Sequence, residues 1–148
     1  MIKLHHIVKR YKNRKVETRA LNEVSLHVKA GEFVSIMGPS GCGKTTLLNI
    51  MGFLDSYEAG LYIFNNRDIS ALSEKQKLEI RKKNIGFVFQ NFNLIDDLTV
   101  YENLELPLNY LGFNRSQRRE QVLFILEKIS MGHRKEYFPF QLSGGQQQ

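Results

Sequence analysis

A chain of 148 residues, 42% hydrophobic and 24% charged, has the composition of one globular domain with a moderate core. It holds no apolar run long enough to span a bilayer and no signal-peptide core, and its one cysteine, Cys42, excludes an internal disulfide framework and suits a reducing compartment. The net charge of +6 is scattered, with local groups at 9–15, 81–83 and 115–119, as on solvated helix ends and loops, and decides nothing by itself; no nucleic-acid partner is expected. The four histidines (His5, His6, His27, His133) lack zinc-ligand spacing.

In chain order, residues 2–8 and 20–28 read as strands around a polar segment at 12–18, the pattern of a hairpin. Ala30-Gly31-Glu32 is a turn, and Phe33-Val34-Ser35-Ile36-Met37 reads as a short buried strand ended by Gly38. A helix over 44–52 follows, with Leu47, Leu48 and Met51 at core-facing spacing. Residues 62–64 form another short strand. The polar segment 73–83 is helix-prone, with a capping box in Ser73 and Gln76. Ile85-Gly86-Phe87-Val88-Phe89 reads as a second buried strand. Thr99 and Glu102 cap a helix that Pro107 should kink or end. Residues 115–129 are amphipathic, with Val122, Ile125, Leu126 and Ile129 on one face. Alternating strands and helices predict a three-layer α/β domain.

Gly38-Pro39-Ser40-Gly41-Cys42-Gly43-Lys44-Thr45 matches the pattern G-x-x-x-x-G-K-[ST] in full, between a predicted strand and a predicted helix. Glycines let several backbone N–H groups converge on phosphate oxygens, and the helix adds its positive end. Lys44 reaches β- and γ-phosphates, and the Thr45 hydroxyl suits a magnesium ion. Chance matches number roughly one per few hundred such chains, so this segment is read as a phosphate-binding loop.

Many unrelated enzymes carry such a loop. A second motif narrows the choice: Leu142-Ser143-Gly144-Gly145-Gln146 matches the LSGGQ signature of the ABC ATPases. Residues 37–49 (MGPSGCGKTTLLN), 85–94 (IGFVFQNFNL), 102–108 (ENLELPL) and 141–148 (QLSGGQQQ) resemble the ATPase subunits of lipoprotein-release and macrolide-export systems. The resemblance implies the P-loop NTPase fold of ABC type, with an N-terminal antiparallel β portion and a helical portion. Residues 1–148 would then be the N-terminal part of a single domain, with Walker A at 38–45, a Q-loop around Gln90 and the signature at 142–146.

It further implies ATP and Mg2+ as ligands. Gly38, Pro39, Ser40, Gly41, Cys42, Gly43, Lys44, Thr45 and Thr46 would bind ATP, and Tyr11 stands where the family places an aromatic residue against adenine. Thr45 and Gln90 would serve magnesium, Gln90 also positioning water. Ser143, Gly144, Gly145 and Gln146 would contact ATP held by the other subunit of a head-to-tail homodimer. Residues 91–110 would face a membrane permease, although Phe92, Leu94, Leu98 and Tyr101 suit plain core equally well. The protein would sit on the cytoplasmic face of the inner or plasma membrane.

The family places a strand ending in aspartate and glutamate, then a histidine, after the signature. Gln148 comes before any of these, so the domain is expected to be incomplete at its C-terminus, binding nucleotide with little or no turnover. Asp96 and Asp97, in a polar loop, and Asp55 and Asp68 do not replace the missing carboxylates. Cys42 stands where most relatives carry serine or another small residue, and its place beside Lys44 makes it a candidate reactive thiol. Two other readings stay open at this stage: a soluble ABC-class ATPase acting on ribosomes or nucleic acid, and an inactive nucleotide-binding fragment. The interval 46–141 holds neither the long coiled coil nor the zinc module of the chromosome-maintenance and repair ATPases.

Overall fold

The computed structural model describes residues 1–13 and 16–148. Alternating apolar and polar residues near the N-terminus build a long antiparallel hairpin of β1 (Ile2–Asn13) and β2 (Val16–Val28). Both strands run further than the pattern suggested, into the polar segment 12–18. Residues 14 and 15, part of that segment and of the basic group 9–15, lie outside the described residues. β3 (Ala59–Phe64) pairs with the other side of β1, and β4 (Arg67–Asp68), which sequence reasoning missed, pairs with β3. The antiparallel sheet therefore has the order β2-β1-β3-β4.

Leu4 and Ile7 are both fully buried although they are three residues apart. Strict alternation would put them on opposite faces. A register shift between them, with His6 at φ 50°, adds the extra residue that turns Ile7 back to the core. Lys9 and Tyr11 follow at spacings of two from Ile7, and the first is buried and the second ring half exposed.

Helix α1 (Lys44–Met51) buries Leu47 and Ile50. Leu48, expected in the core, is instead 50% exposed, because the buried stripe runs through Leu47 and Ile50. At the end of α1 Gly52 passes so close to the Phe87 ring that a Cβ there would collide with it. Phe53 stacks on Tyr62 (centroids 5.3 Å apart) and meets Phe64 edge-on at 5.4 Å. The Tyr62 hydroxyl donates to the Met51 carbonyl at 2.6 Å, tying β3 to α1, and burial raises its pKa. Helix α2 (Glu74–Asn84) opens on the predicted Ser73–Gln76 capping box. Leu72, Ile80 and Ile85 pack on the core formed by the sheet and α1.

Two expectations fail here. Residues 33–37 and 85–89 carry no strand, and the sheet consists of β1–β4. Nor is either segment buried: Phe33 is 96% exposed, Met37 87% and Val88 87%. A buried strand of a parallel sheet needs ladder neighbours and a covering layer. Among the described residues no strand flanks either segment, so they are only partly covered, with Ile36 and Ile85 packing against the core while Phe33, Met37 and Val88 stay exposed.

The described residues form two compact units, 1–87 and 88–148. In the second, α3 (Val100–Tyr110) begins at the predicted Thr99–Glu102 capping box. It runs three residues beyond Pro107, which therefore does not end it. Helix α4 (Arg115–Lys128) starts at an Asn114–Gln117 capping box and pairs with α3 through an Arg118–Glu105 ion pair of 3.0 Å. Val122, Leu126, Met131 and Leu142 make the core, covered by Val100, Tyr101, Leu104 and Leu108. Ile125 and Ile129, expected on the same face, are 40% and 55% exposed. The buried stripe of α4 is narrower than its apolar content. Leu126→Ala should therefore cost roughly 2–5 kcal/mol and Ile125→Ala less than about 1 kcal/mol in urea unfolding.

Candidate functional site

The phosphate-loop residues 38–45 run from the irregular segment 33–37 into the first turn of α1. Gly43 is the residue before the helix, in the left-handed conformation at φ 95°. A Cβ there would run into the Ala20 carbonyl oxygen of β2 and lie 3.0 Å from the Leu21 side chain. Only glycine meets both demands at this position. No side chain caps the first turn of α1, and no acidic residue lies in it. Its leading N–H groups and the positive end of the helix thus face outward without a competing carboxylate.

Lys44 folds back over the loop. Its ammonium donates to the Gly38 and Pro39 carbonyls, each at 2.8 Å, and stands 3.7 Å from Cys42 Sγ. Pro39, Ser40, Gly41, Cys42 and Thr45 are exposed, whereas Gly43, Lys44 and Thr46 are half-buried. The loop is thus open to solvent, with the Lys44 ammonium over its carbonyls.

Tyr11 lies beside it. Its hydroxyl donates to Asp55 Oδ2 at 2.6 Å and stands 3.5 Å from the Thr46 hydroxyl, one residue past the loop. Lys9, only 8% exposed, donates to the other Asp55 oxygen at 2.6 Å, and its ammonium lies over the Tyr11 ring, 5.0 Å from the centroid. Partial burial pushes the Asp55 carboxyl up, but the hydrogen bonds from Lys9, Tyr11 and the Ser56 N–H outweigh it and hold the pKa below the usual range. Asp55 is thus not a stand-in for a catalytic carboxylate. It is the acceptor that joins β1 to the chain just beyond α1. Sequence reasoning missed Lys9 and Asp55 as a pair, since 46 residues separate them and no motif links them.

The other predicted residues belong to the second unit. Gln90 is exposed, in a turn. In the signature, Leu142 is buried, Ser143, Gly144 and Gly145 are exposed, and Gln146 is half-buried. The Ser143 N–H donates to Gln146 Oε1 at 3.1 Å, opening the short helix α5 (Gly144–Gln147). Gln147 holds the preceding turn by donating to the Pro139 and Leu142 carbonyls at 2.8 and 3.2 Å. In the 91–110 segment one side chain, Asn103, organises the loop. It accepts from the Ile95 N–H at 2.8 Å and donates to the carbonyls of Ile95, Leu98 and Thr99. Phe92, Leu94, Leu98 and Tyr101 are all half-buried. Among the described residues no group of three or more His, Cys, Asp or Glu side chains could hold a metal ion, and no helix is long and apolar enough to cross a membrane.

A glycine-built loop feeding an uncapped helix, with a lysine over its carbonyls, defines a P-loop nucleotide-binding protein. The model of the ABC transporter family matches residues 21–148, and the chain belongs to that family. Over all 148 residues it is 44% identical to the ABC transporter ATP-binding protein MJ1508 of Methanocaldococcus jannaschii and 45% identical to YvrO of Bacillus subtilis, spanning 66% and 65% of their lengths. It is 41% identical to 23% of the macrolide export ATP-binding/permease protein MacB of Brucella abortus. Its fold matches the ATP-binding cassette MJ0796, solved as a dimer bound to ADP and Pi, with a TM-score of 0.86 and 44% identity, over 99% of this chain and 65% of that one. The chain thus spans about two thirds of the stand-alone relatives it matches.

The depressed Asp55 pKa sets a pH dependence. Because the folded-state value lies below the unfolded value of about 3.9, the carboxylate's contribution to stability is complete above that value. It is lost as pH falls through the folded-state pKa. The stability difference between wild type and Asp55→Asn, followed by urea unfolding, should be constant above about pH 5 and shrink below about pH 4.

Proposed function

We propose that this chain is the nucleotide-binding part of an ABC transporter ATPase subunit, coupling ATP binding and hydrolysis to a membrane permease of the macrolide-export or lipoprotein-release type. The observation that carries this reading is the loop 38–45, with its left-handed Gly43, uncapped helix start and Lys44 ammonium poised over the loop carbonyls. Both compact units belong to one nucleotide-binding domain in this reading, since the family match runs across the division at 87/88.

In the proposed bound state, the N–H groups of residues 41–45 and the Lys44 ammonium hold the phosphates, exchanging the carbonyl contacts of Lys44 for stronger charge-assisted ones. Gly38, Pro39, Ser40, Cys42 and Thr46 frame the loop, and the Tyr11 ring carries the base. The Thr45 hydroxyl would serve magnesium, which when bound neutralises phosphate charge. Ser143, Gly144, Gly145 and Gln146 would reach the nucleotide of a second copy across a head-to-tail dimer. The dimeric MJ0796 cassette supports association of two such chains, and the fusion of ATP-binding and permease parts in MacB supports a permease partner. The site of action is then the cytoplasmic face of the inner or plasma membrane, with the protein peripheral to it.

Lys44→Ala should lower ATP affinity roughly tenfold or more in calorimetry, because a charge-assisted phosphate contact contributes about 1.5–3 kcal/mol. Equal binding by the two proteins would reject the site. For the partner, photo-crosslinks from cysteines placed at Leu94 or Leu98 should map to a permease subunit. Adducts confined to ribosomal proteins would move the protein to the soluble ABC class.

A further inference from the structure

The Lys9–Asp55–Tyr11 cluster does more than satisfy a buried charge. β-alternation after the bulge at His6 brings Lys9 and Tyr11 to the side of β1 where Asp55 lies. Each Asp55 oxygen takes one of them at 2.6 Å, so the carboxylate is used in both directions. The consequence for Tyr11 is geometric. Its hydroxyl is pinned at one end, next to Thr46 on α1, and the Lys9 ammonium occupies one face of the ring at 5.0 Å. With 44% of the residue still exposed, the opposite face is the one available for stacking. A pinned tyrosine ring loses little conformational entropy when a base stacks on it, whereas a free one must be ordered first.

We propose that Lys9 and Asp55 are positioning residues for nucleotide recognition, which hold the Tyr11 ring as a one-sided stacking platform for a nucleobase beside the phosphate loop. The inference rests on the nucleotide-binding reading above and assigns it a device for selecting a ligand with a base over a bare polyphosphate. Lys9 supplies a desolvated cation behind the ring, and Asp55 keeps that cation in place and fixes the rotation of the ring. Tyr11 touches the base, and the other two act through it.

The test compares affinities for MgATP and magnesium tripolyphosphate by calorimetry in the wild-type protein, Tyr11→Phe and Asp55→Asn. Tyr11→Phe keeps the ring and removes its anchor, while Asp55→Asn keeps an acceptor and removes the charge that holds Lys9. Thermal melts confirm that each variant is folded. Wild type should prefer MgATP, and the preference, taken as the ratio of the two affinities, should fall roughly threefold to tenfold in both variants, a part of the full value of base–aromatic stacking. A purely structural role for the cluster would weaken both ligands in parallel and leave the ratio where it was, which would overturn the proposal. A wild-type protein that binds both ligands equally would also overturn it while leaving the phosphate loop intact. Failure of wild type to bind either ligand would reject the nucleotide-binding reading together with the platform.

Discussion

The backbone of Gly43 lies against the carbonyl of Ala20, and the first unit is organised around that approach. The residue must turn left-handed to start α1 and must carry no side chain to let β2 come so near. Leu21, the next residue of β2, is buried in the same core as Leu47 and Ile50 of α1. One contact thus joins the hairpin to the helix, closes the core beneath them and sets the phosphate loop at their junction. A larger residue at position 43 would disturb this packing and the start of α1 together, because the same few atoms serve both.

Charge enters this frame at one place. An ammonium as buried as that of Lys9 is stable only when paired and hydrogen-bonded. Asp55 provides the partner, and its remaining oxygen takes the Tyr11 hydroxyl. The requirement to compensate a buried charge therefore orders an aromatic ring next to the loop. Nearby surface pairs, such as Arg10–Glu58, are solvent-facing and contribute far less.

The second unit solves a different problem, that of holding short irregular segments still. Leu142 anchors the signature in the core made with Val122, Leu126 and Met131, so the three small residues after it can remain exposed without the segment drifting. Asn103 does the same for residues 95–99 by taking three carbonyls and one N–H of a loop that has no ladder to satisfy it. In both cases a single well-placed side chain replaces secondary structure as the source of order. Segments built this way present backbone groups and small side chains outward, which suits contact with a ligand or partner.

Local signals in the sequence were sufficient for whatever depends on neighbours in the chain. The glycine-rich turn into α1 and the capping boxes at Ser73 and Thr99 are legible because glycine conformations and cap hydrogen bonds involve residues within a few positions of one another. Tyr11 was singled out only through the family resemblance. Tertiary structure alone decided the rest. Hydrophobicity at 33–37 and 85–89 promised buried strands, yet a buried strand needs ladder neighbours on both sides, and among the described residues no strand flanks them. Apolar periodicity in α4 counted Ile125 and Ile129 as core, but which part of an apolar face is covered depends on the partner helix and not on the helix itself. The union of Lys9, Tyr11 and Asp55 depends on a bulge that resets alternation in β1 and on a strand–helix packing that closes 46 residues of separation. No periodicity encodes such a contact, since its energy arises only when distant segments meet and exclude water.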